Sequence, residues 1–241
     1  MQNEKLADLH VHTAASPDVL HNSKHTLEEA LAEASLKGLT AIAITEHGPV
    51  LHDYDKSQGI ADREGVILVP GVELRAIIED GRTAKIITRL FGRKRATVDV
   101  LAYGVTDEIP EATLSLHQLI EKIHKQNGLA IIAHPSFAPA VNWYGPLGRR
   151  LIKETGADGI ESFNAAVLAG MNENAQKLAI DLELPVTGGS DTRTLENIGK
   201  GVTVFNRDTM LKDWQDVLDA IKSGKTISRG TSRKFGLSFA Q

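Results

Sequence analysis

The sequence predicts an α/β protein of the β/α-barrel kind, and three observations lead there. Short apolar runs alternate with longer helical patterns along most of the chain, the signature of repeated βα units around a mainly parallel sheet. Ionisable residues follow directly on several of those runs, where a packing role is a poor explanation. The length, 241 residues, suits one barrel of about 200 to 250 residues better than two ordinary domains, so residues 1–241 are read as one domain.

In chain order, the first strand is expected at Leu6–Val11 and the first helix at Leu27–Lys37, with a second strand at Thr40–Thr45. Gly48–Gly65 reads as a polar insertion containing Tyr54, followed by a strand at Val66–Leu74. A second insertion, Ile77–Arg95, carries Asp80-Gly81, a turn pair able to form a β-hairpin between Ile78 and Leu90. Strands at Thr97–Tyr103, Ala130–Ala133, Gly159–Phe163, Pro185–Gly188 and Val202–Phe205 follow, with helices at Leu114–Gln126, Gly148–Glu154, Met171–Leu182 and Leu211–Ser223. Gly, Asn, Pro or a strand start ends each helix. Arg229–Gln241 reads as a closing segment or loose tail.

Composition narrows the chemistry. A net charge of −4 with no long basic run gives no electrostatic footprint for a nucleic-acid polymer or an anionic membrane, so neither partner is expected. No stretch resembles a signal peptide or a membrane span, which makes a cytoplasmic location the expectation. With no cysteine in the chain, any metal is held by nitrogen and oxygen ligands, and no thiol nucleophile exists.

His10 and His12 flank the end of the first strand. Residues two apart in a strand share a face, so both imidazoles can reach one ion. The pattern repeats with Thr45-Glu46-His47, Gly71-Val72-Glu73, Ala133-His134-Pro135 and Gly189-Ser190-Asp191, each at a strand end. In β/α barrels the C-terminal strand ends converge on one face, where active sites sit. Other histidines serve as controls. His117 and His124 lie on a helix among Lys122, Lys125 and Gln126 and read as solvated surface, while His21, His25 and His52 read as loop residues near the mouth.

These segments, together with Ala7-Asp8-Leu9-His10-Val11-His12-Thr13 and Ile44-Thr45-Glu46-His47-Gly48-Pro49, resemble the PHP (polymerase and histidinol phosphatase) family, in the family's order and over nearly the whole chain. The likeness is to the stand-alone bacterial phosphoesterases. It implies a distorted (β/α)7 TIM-like barrel, so one of the eight expected runs belongs to the Ile77–Leu90 region or covers the barrel from outside. It also implies two or three divalent ions, manganese, zinc or iron.

Carried over position by position, His10, His12, Glu73 and Asp191 bind the first metal. Glu73 bridges to a second metal held by His134, with Asp99 standing where the family has a histidine. A carboxylate there makes that site richer in oxygen. The third site of the family draws on Asp18, on His47 and on a histidine two residues after the last aspartate, where this chain has Arg193. A guanidinium has no lone pair to give. Two readings of Arg193 stay open: a bidentate clamp on a substrate phosphate, or a partner for Asp18 in a degenerate site. Glu46 is read as a hydrogen-bond partner of a ligating imidazole, and Arg75 as facing the mouth or the surface.

The resemblance implies hydrolysis of a phosphate ester, a monoester first, by a metal-bridging hydroxide, on a small phosphorylated substrate. Arg193 or His47 would steady the phosphoryl group or protonate the leaving alcohol. An amidohydrolase-type metal hydrolase is the alternative, but the mid-barrel lysine that chemistry usually wants is missing. A regulatory module with a decayed metal site is the other alternative. Leaving-group recognition would fall to the loops Gly48–Gly65 and Ser136–Gly148, the latter with Trp143 and Tyr144.

Overall fold

The computed structural model describes residues 4–16, 25–48, 54–78, 96–110, 113–135 and 146–233. The Ile78–Leu90 hairpin tip, Asp18, His21, His52, Trp143 and Tyr144 fall outside these residues.

The described strands are β1 (Lys5–Val11), β2 (Ala41–Ile44), β3 (Ile67–Ile78), β4 (Ala96–Tyr103), β5 (Leu129–Ile132), β6 (Gly159–Asn164), β7 (Val186–Gly189), β8 (Gly201–Phe205) and β9 (Thr226–Gly230). The helices are α1 (Leu27–Leu36), α2 (Tyr54–Glu64), α3 (Leu116–His124), α4 (Pro146–Thr155), α5 (Ala169–Leu182) and α6 (Trp214–Lys222). All strands join one sheet in the order β7-β6-β5-β4-β3-β2-β1-β8-β9. The sheet curls until its first seven strands almost close. Asp191 N–H donates to His10 O at 2.7 Å and His12 N–H to Thr192 O at 2.9 Å, stitching the end of β7 to the end of β1. At its other end β1 pairs antiparallel with β8, which pairs with β9. The distorted barrel expected from sequence is the observed fold, and its surplus strand is β8, wedged into the seam.

Four features depart from expectation. The sheet is not uniformly parallel: β4 runs antiparallel to both β3 and β5. An apolar run specifies a strand but not its direction, which the connection decides. Residues 54–64, read as a polar insertion, form helix α2. Its apolar face is narrow, with Ile60 and Ala61 buried and the Tyr54 hydroxyl donating to Leu68 O at 3.1 Å, so periodicity gave little signal. Strand β9 runs into the segment read as a tail, taking in Arg229 and Gly230, and pairs along its whole length with β8. Finally, His25 is buried rather than at a loop surface.

One apolar cluster draws Leu9, Ala43, Val69, Leu101 and Ile131 from five successive strands together with Val217, Leu218 and Ile221 of α6. It is the barrel interior, closed by α6 at the end where β3 begins and β4 finishes. The opposite end stays open to polar groups. Outside, α1 and α2 cover β1 to β3, and α3 to α5 cover β3 to β6. Capping boxes at Thr26/Glu29 and Ser115/Gln118 start α1 and α3, each worth about 1 kcal/mol. No described helix is long and apolar enough to cross a membrane.

Candidate metal centre

The alternation of β1 brings the two imidazoles of His10 and His12 to one point, their Nε2 atoms 3.2 Å apart and both rings fully buried. Glu73, midway along the long strand β3, reaches the same point. Its Oε2 lies 3.2 Å from Nε2 of His10, of His12 and of His47, while its Oε1 lies 3.0 Å from His134 Nε2. Asp191 Oδ1 completes the cluster at 3.6 Å from His10 Nε2 and 3.4 Å from His12 Nε2.

Asp99 groups with Glu73 and His134, ligand atoms within 4.8 Å of one another. It stands in the N-terminal half of β4, and because β4 is antiparallel to its neighbours, that half lies towards the barrel mouth. Across the register from Asp99 is Arg75, whose Nε donates to Asp99 Oδ1 at 2.9 Å. Arg193 places Nη1 3.3 Å from Asp191 Oδ1. Thus His10, His12, His47, Glu73, Asp99, His134, Asp191 and Arg193 come together, and Asp18 lies outside the described residues. The control histidines are elsewhere: His117 is exposed beside Glu121, and His124 pairs with Asp158 at 2.8 Å.

Backbone geometry at the strand ends aims these side chains. His134 and Asp191 both adopt left-handed conformations, with φ of 22° and 49°, a strain that non-glycine residues sustain only where the surroundings fix them. Each is held by its own amide: His134 N–H donates to Glu161 Oε2 at 2.9 Å, and Asp191 N–H to His10 O. Gly189 lets β7 come this close, since a Cβ there would overlap that of His10.

A supporting layer was not singled out from sequence. Glu161, buried in β6, accepts from His10 Nδ1 at 2.9 Å, from the His134 amide and from Asn164 Nδ2 at 3.1 Å. Asn164 Nδ2 also donates to Asp191 Oδ2 at 3.1 Å. One carboxylate therefore orients two candidate ligands and fixes the His10 tautomer with its Nε2 lone pair facing the cluster. The available signal was an acid inside an otherwise strand-like run. Asp8, two residues before His10 on β1, accepts from the amides of Ser190 and Gly199 at 2.8 Å each and so clamps both ends of the turn carrying Asp191 and Arg193. Burial raises its carboxyl to about 6, against the pull of those amides. Glu46, expected to hydrogen-bond a ligating imidazole, instead accepts from the Thr13 amide and hydroxyl and stands 3.8 Å from His12 Nδ1, an ionic neighbour beyond hydrogen-bond distance.

The electrostatics are those of a site that wants cations. Burial opposes charge on His10, yet Glu161, Asp191 and Glu73 outweigh it and raise its pKa well above normal. The same contest leaves His12 at about 10, through Asp191, Glu46 and Glu73, and His134 at about 9, chiefly through Glu73. Burial pushes Glu73 and Asp191 up, but His10 beside them holds both well below the usual carboxylate range.

The donor set fits divalent metal. Two imidazole nitrogens and two carboxylate oxygens that meet at 3.2 to 3.6 Å are spaced like neighbours around one ion, since donors 2.0–2.1 Å from a tetrahedral centre stand about 3.3 Å apart. All are nitrogen and oxygen, suited to zinc, manganese or iron.

Comparison with known proteins agrees with this geometry. The PHP domain model matches residues 8–179 and the PHP-associated model residues 170–226, and the chain belongs to the PHP domain family. Uncharacterized protein MJ1587 of Methanocaldococcus jannaschii is 28% identical over 192 residues, covering 74% of this chain and 93% of that protein. Among solved structures, a two-domain protein of Bacteroides vulgatus containing a predicted PHP-like metal-dependent phosphoesterase superposes with a TM-score of 0.68 at 19% identity, over 95% of this chain and 65% of that one. This chain thus spans less than two thirds of that protein. A lesion-specific endonuclease of Pyrococcus furiosus, PfuEndoQ, superposes at 0.60 with 15% identity, over 97% of this chain and 60% of that one. A nuclease on the same fold removes the support for excluding nucleic acid on charge alone.

Proposed function

We propose that this protein is a metal-dependent phosphoesterase acting on phosphomonoesters, with two divalent ions on either side of Glu73. The observation that carries this reading is the division of one buried carboxylate between two ligand groups, Oε2 towards His10, His12 and His47 and Oε1 towards His134. His10, His12 and Asp191 would hold the first ion, and His134 and Asp99 the second. Two ions bridged in this way would supply a hydroxide near neutral pH and would offset charge on the phosphoryl oxygens.

The chain itself does the positioning. Glu161 keeps the His10 and His134 donors aimed inward, and the left-handed turn at Asp191 sets its carboxylate over the same point. Arg193, at 3.3 Å from Asp191, is the cation best placed to hold a non-reacting phosphoryl oxygen, and its charge favours the transition state, in which charge on those oxygens is redistributed. His47 directs Nε2 at Glu73 Oε2, on the side of the first ion, and so would add a ligand there rather than serve as the proton donor to the leaving alcohol. The Bacteroides and Bifidobacterium adolescentis neighbours both carry the words metal-dependent phosphoesterase in their names, which supports the reaction class.

Hydrolysis of p-nitrophenyl phosphate with added manganese tests the reading. Turnover abolished by chelator and restored by metal is expected. No turnover with manganese, zinc or iron would overturn it.

A further inference from the structure

Beside the metal centre lies a cleft of about 490 Å³, within the range of small-molecule sites and far larger than one phosphate needs. Asp191, one of the proposed ligands, lines it. One wall is the turn after β7, bearing Arg193. A second is the turn before β8, bearing Lys200, and a third is the chain just after β9, with Ser232 and Arg233.

The lining is selective in its chemistry. Among the described residues Asp191 is the one acid that lines it, against three cations, Arg193, Lys200 and Arg233. Neither Lys200 nor Arg233 has a carboxylate partner among the described residues; Lys200 Nζ contacts the amide oxygen of Asn197. Its small apolar side chains, Ala165 and Ala166, leave room between the cationic walls. Ser232 Oγ accepts from Asn172 Nδ2 at 3.0 Å, which leaves its proton to donate. The walls are built rather than incidental: Thr231 N–H donates to Lys200 O at 2.7 Å and Arg233 N–H to Val167 O at 3.1 Å. Two cationic walls distant in sequence are thereby tied to each other and to the end of β6.

We infer that this cleft is a second phosphate subsite, so that the substrate carries another phosphate close to the one hydrolysed. The inference rests on the phosphoester reading of the metal centre and narrows its substrate class. Arg193 faces both groups, while Lys200 and Arg233 engage only the second. A small bisphosphate and a phosphorylated nucleic-acid end share this chemistry.

The test compares kcat/KM of the metal-loaded protein for a sugar bisphosphate against the matching monophosphate, and for a dinucleotide with a terminal phosphate against the mononucleotide. The pair showing the preference identifies the source. Charge-assisted hydrogen bonds to a second phosphate predict at least a tenfold preference, falling about tenfold in Lys200→Gln and in Arg233→Gln. Both side chains are exposed, so their replacement spares the packing.

Calorimetric binding of the sugar bisphosphate and of the phosphorylated dinucleotide to metal-free protein supplies a readout without turnover, and weaker binding of the preferred one in both variants is expected. Binding that depends on Lys200 and Arg233 without hydrolysis of any ester would sustain the subsite and refute the phosphoester reading. Hydrolysis of p-nitrophenyl phosphate with no preference in either pair, or with a preference unchanged in both variants, would refute the subsite alone.

Discussion

Replacing Glu161 by Gln changes one atom and leaves the volume of the site intact, yet it should disable metal binding. Three N–H groups point at this carboxylate: His10 Nδ1–H at Oε1, and the His134 amide and Asn164 Nδ2 at Oε2. A glutamine offers one acceptor and one donor, so a donor must face a donor whichever way the amide turns. With NH2 towards His10, the imidazole must switch tautomer and place its proton on Nε2, where the lone pair for the metal should be. With NH2 towards His134, the strained turn at that residue loses its anchor. Loss of such a partner costs about 10- to 100-fold in metal affinity, or about 1.4 to 2.7 kcal/mol. Competition against a chromophoric chelator measures it, with circular dichroism to show that the fold persists. Affinity within twofold of the native protein would refute the claim that Glu161 orients the ligands.

Two further outcomes follow from the same geometry. Arg193→Ala should leave bound metal unchanged while raising KM and lowering kcat for phosphomonoesters, a combined loss of about 2 to 4 kcal/mol in transition-state stabilisation; unchanged kinetics would remove it from the mechanism. In metal-free protein, His12 and His134 bind protons more tightly folded than unfolded, their pKa values standing at about 10 and about 9 against 6.5. Their contribution is therefore complete below about pH 6.5 and is lost as pH rises through 9 and 10. Thermal melts in chelator should fall over that window, and metal, which takes the place of those protons, should flatten the fall. Melts in chelator that stay level from pH 6.5 to 10 would contradict the assignment.

The candidate ligands were legible because each follows an apolar strand run, and in a barrel that position alone brings distant residues to one mouth. His10, His12, His47, Glu73, His134 and Asp191 needed nothing more than this, and the spacing of the control histidines on an exposed helix face separated them. Glu161 was hidden because it sits inside its strand, where period-2 reading treats a lone acid as the solvent face; only closure of the barrel turns that face inward. The direction of β4 was equally hidden, and with it the reason that Asp99 reaches the mouth from the first half of a strand. Helix α2 and strand β9 bury few apolar side chains of their own and take their shape from β3 and β8, contacts no local pattern encodes. His25 likewise owes its burial to the packing of its segment beside His12 and Glu46.

The central claim is that Glu73 holds two metals together, and elemental analysis of purified native protein and Glu73→Ala after identical metal loading tests it most directly. At least two equivalents in the native protein and loss of both in the variant are predicted. A variant that keeps two equivalents would contradict the bridged centre and the chemistry built on it.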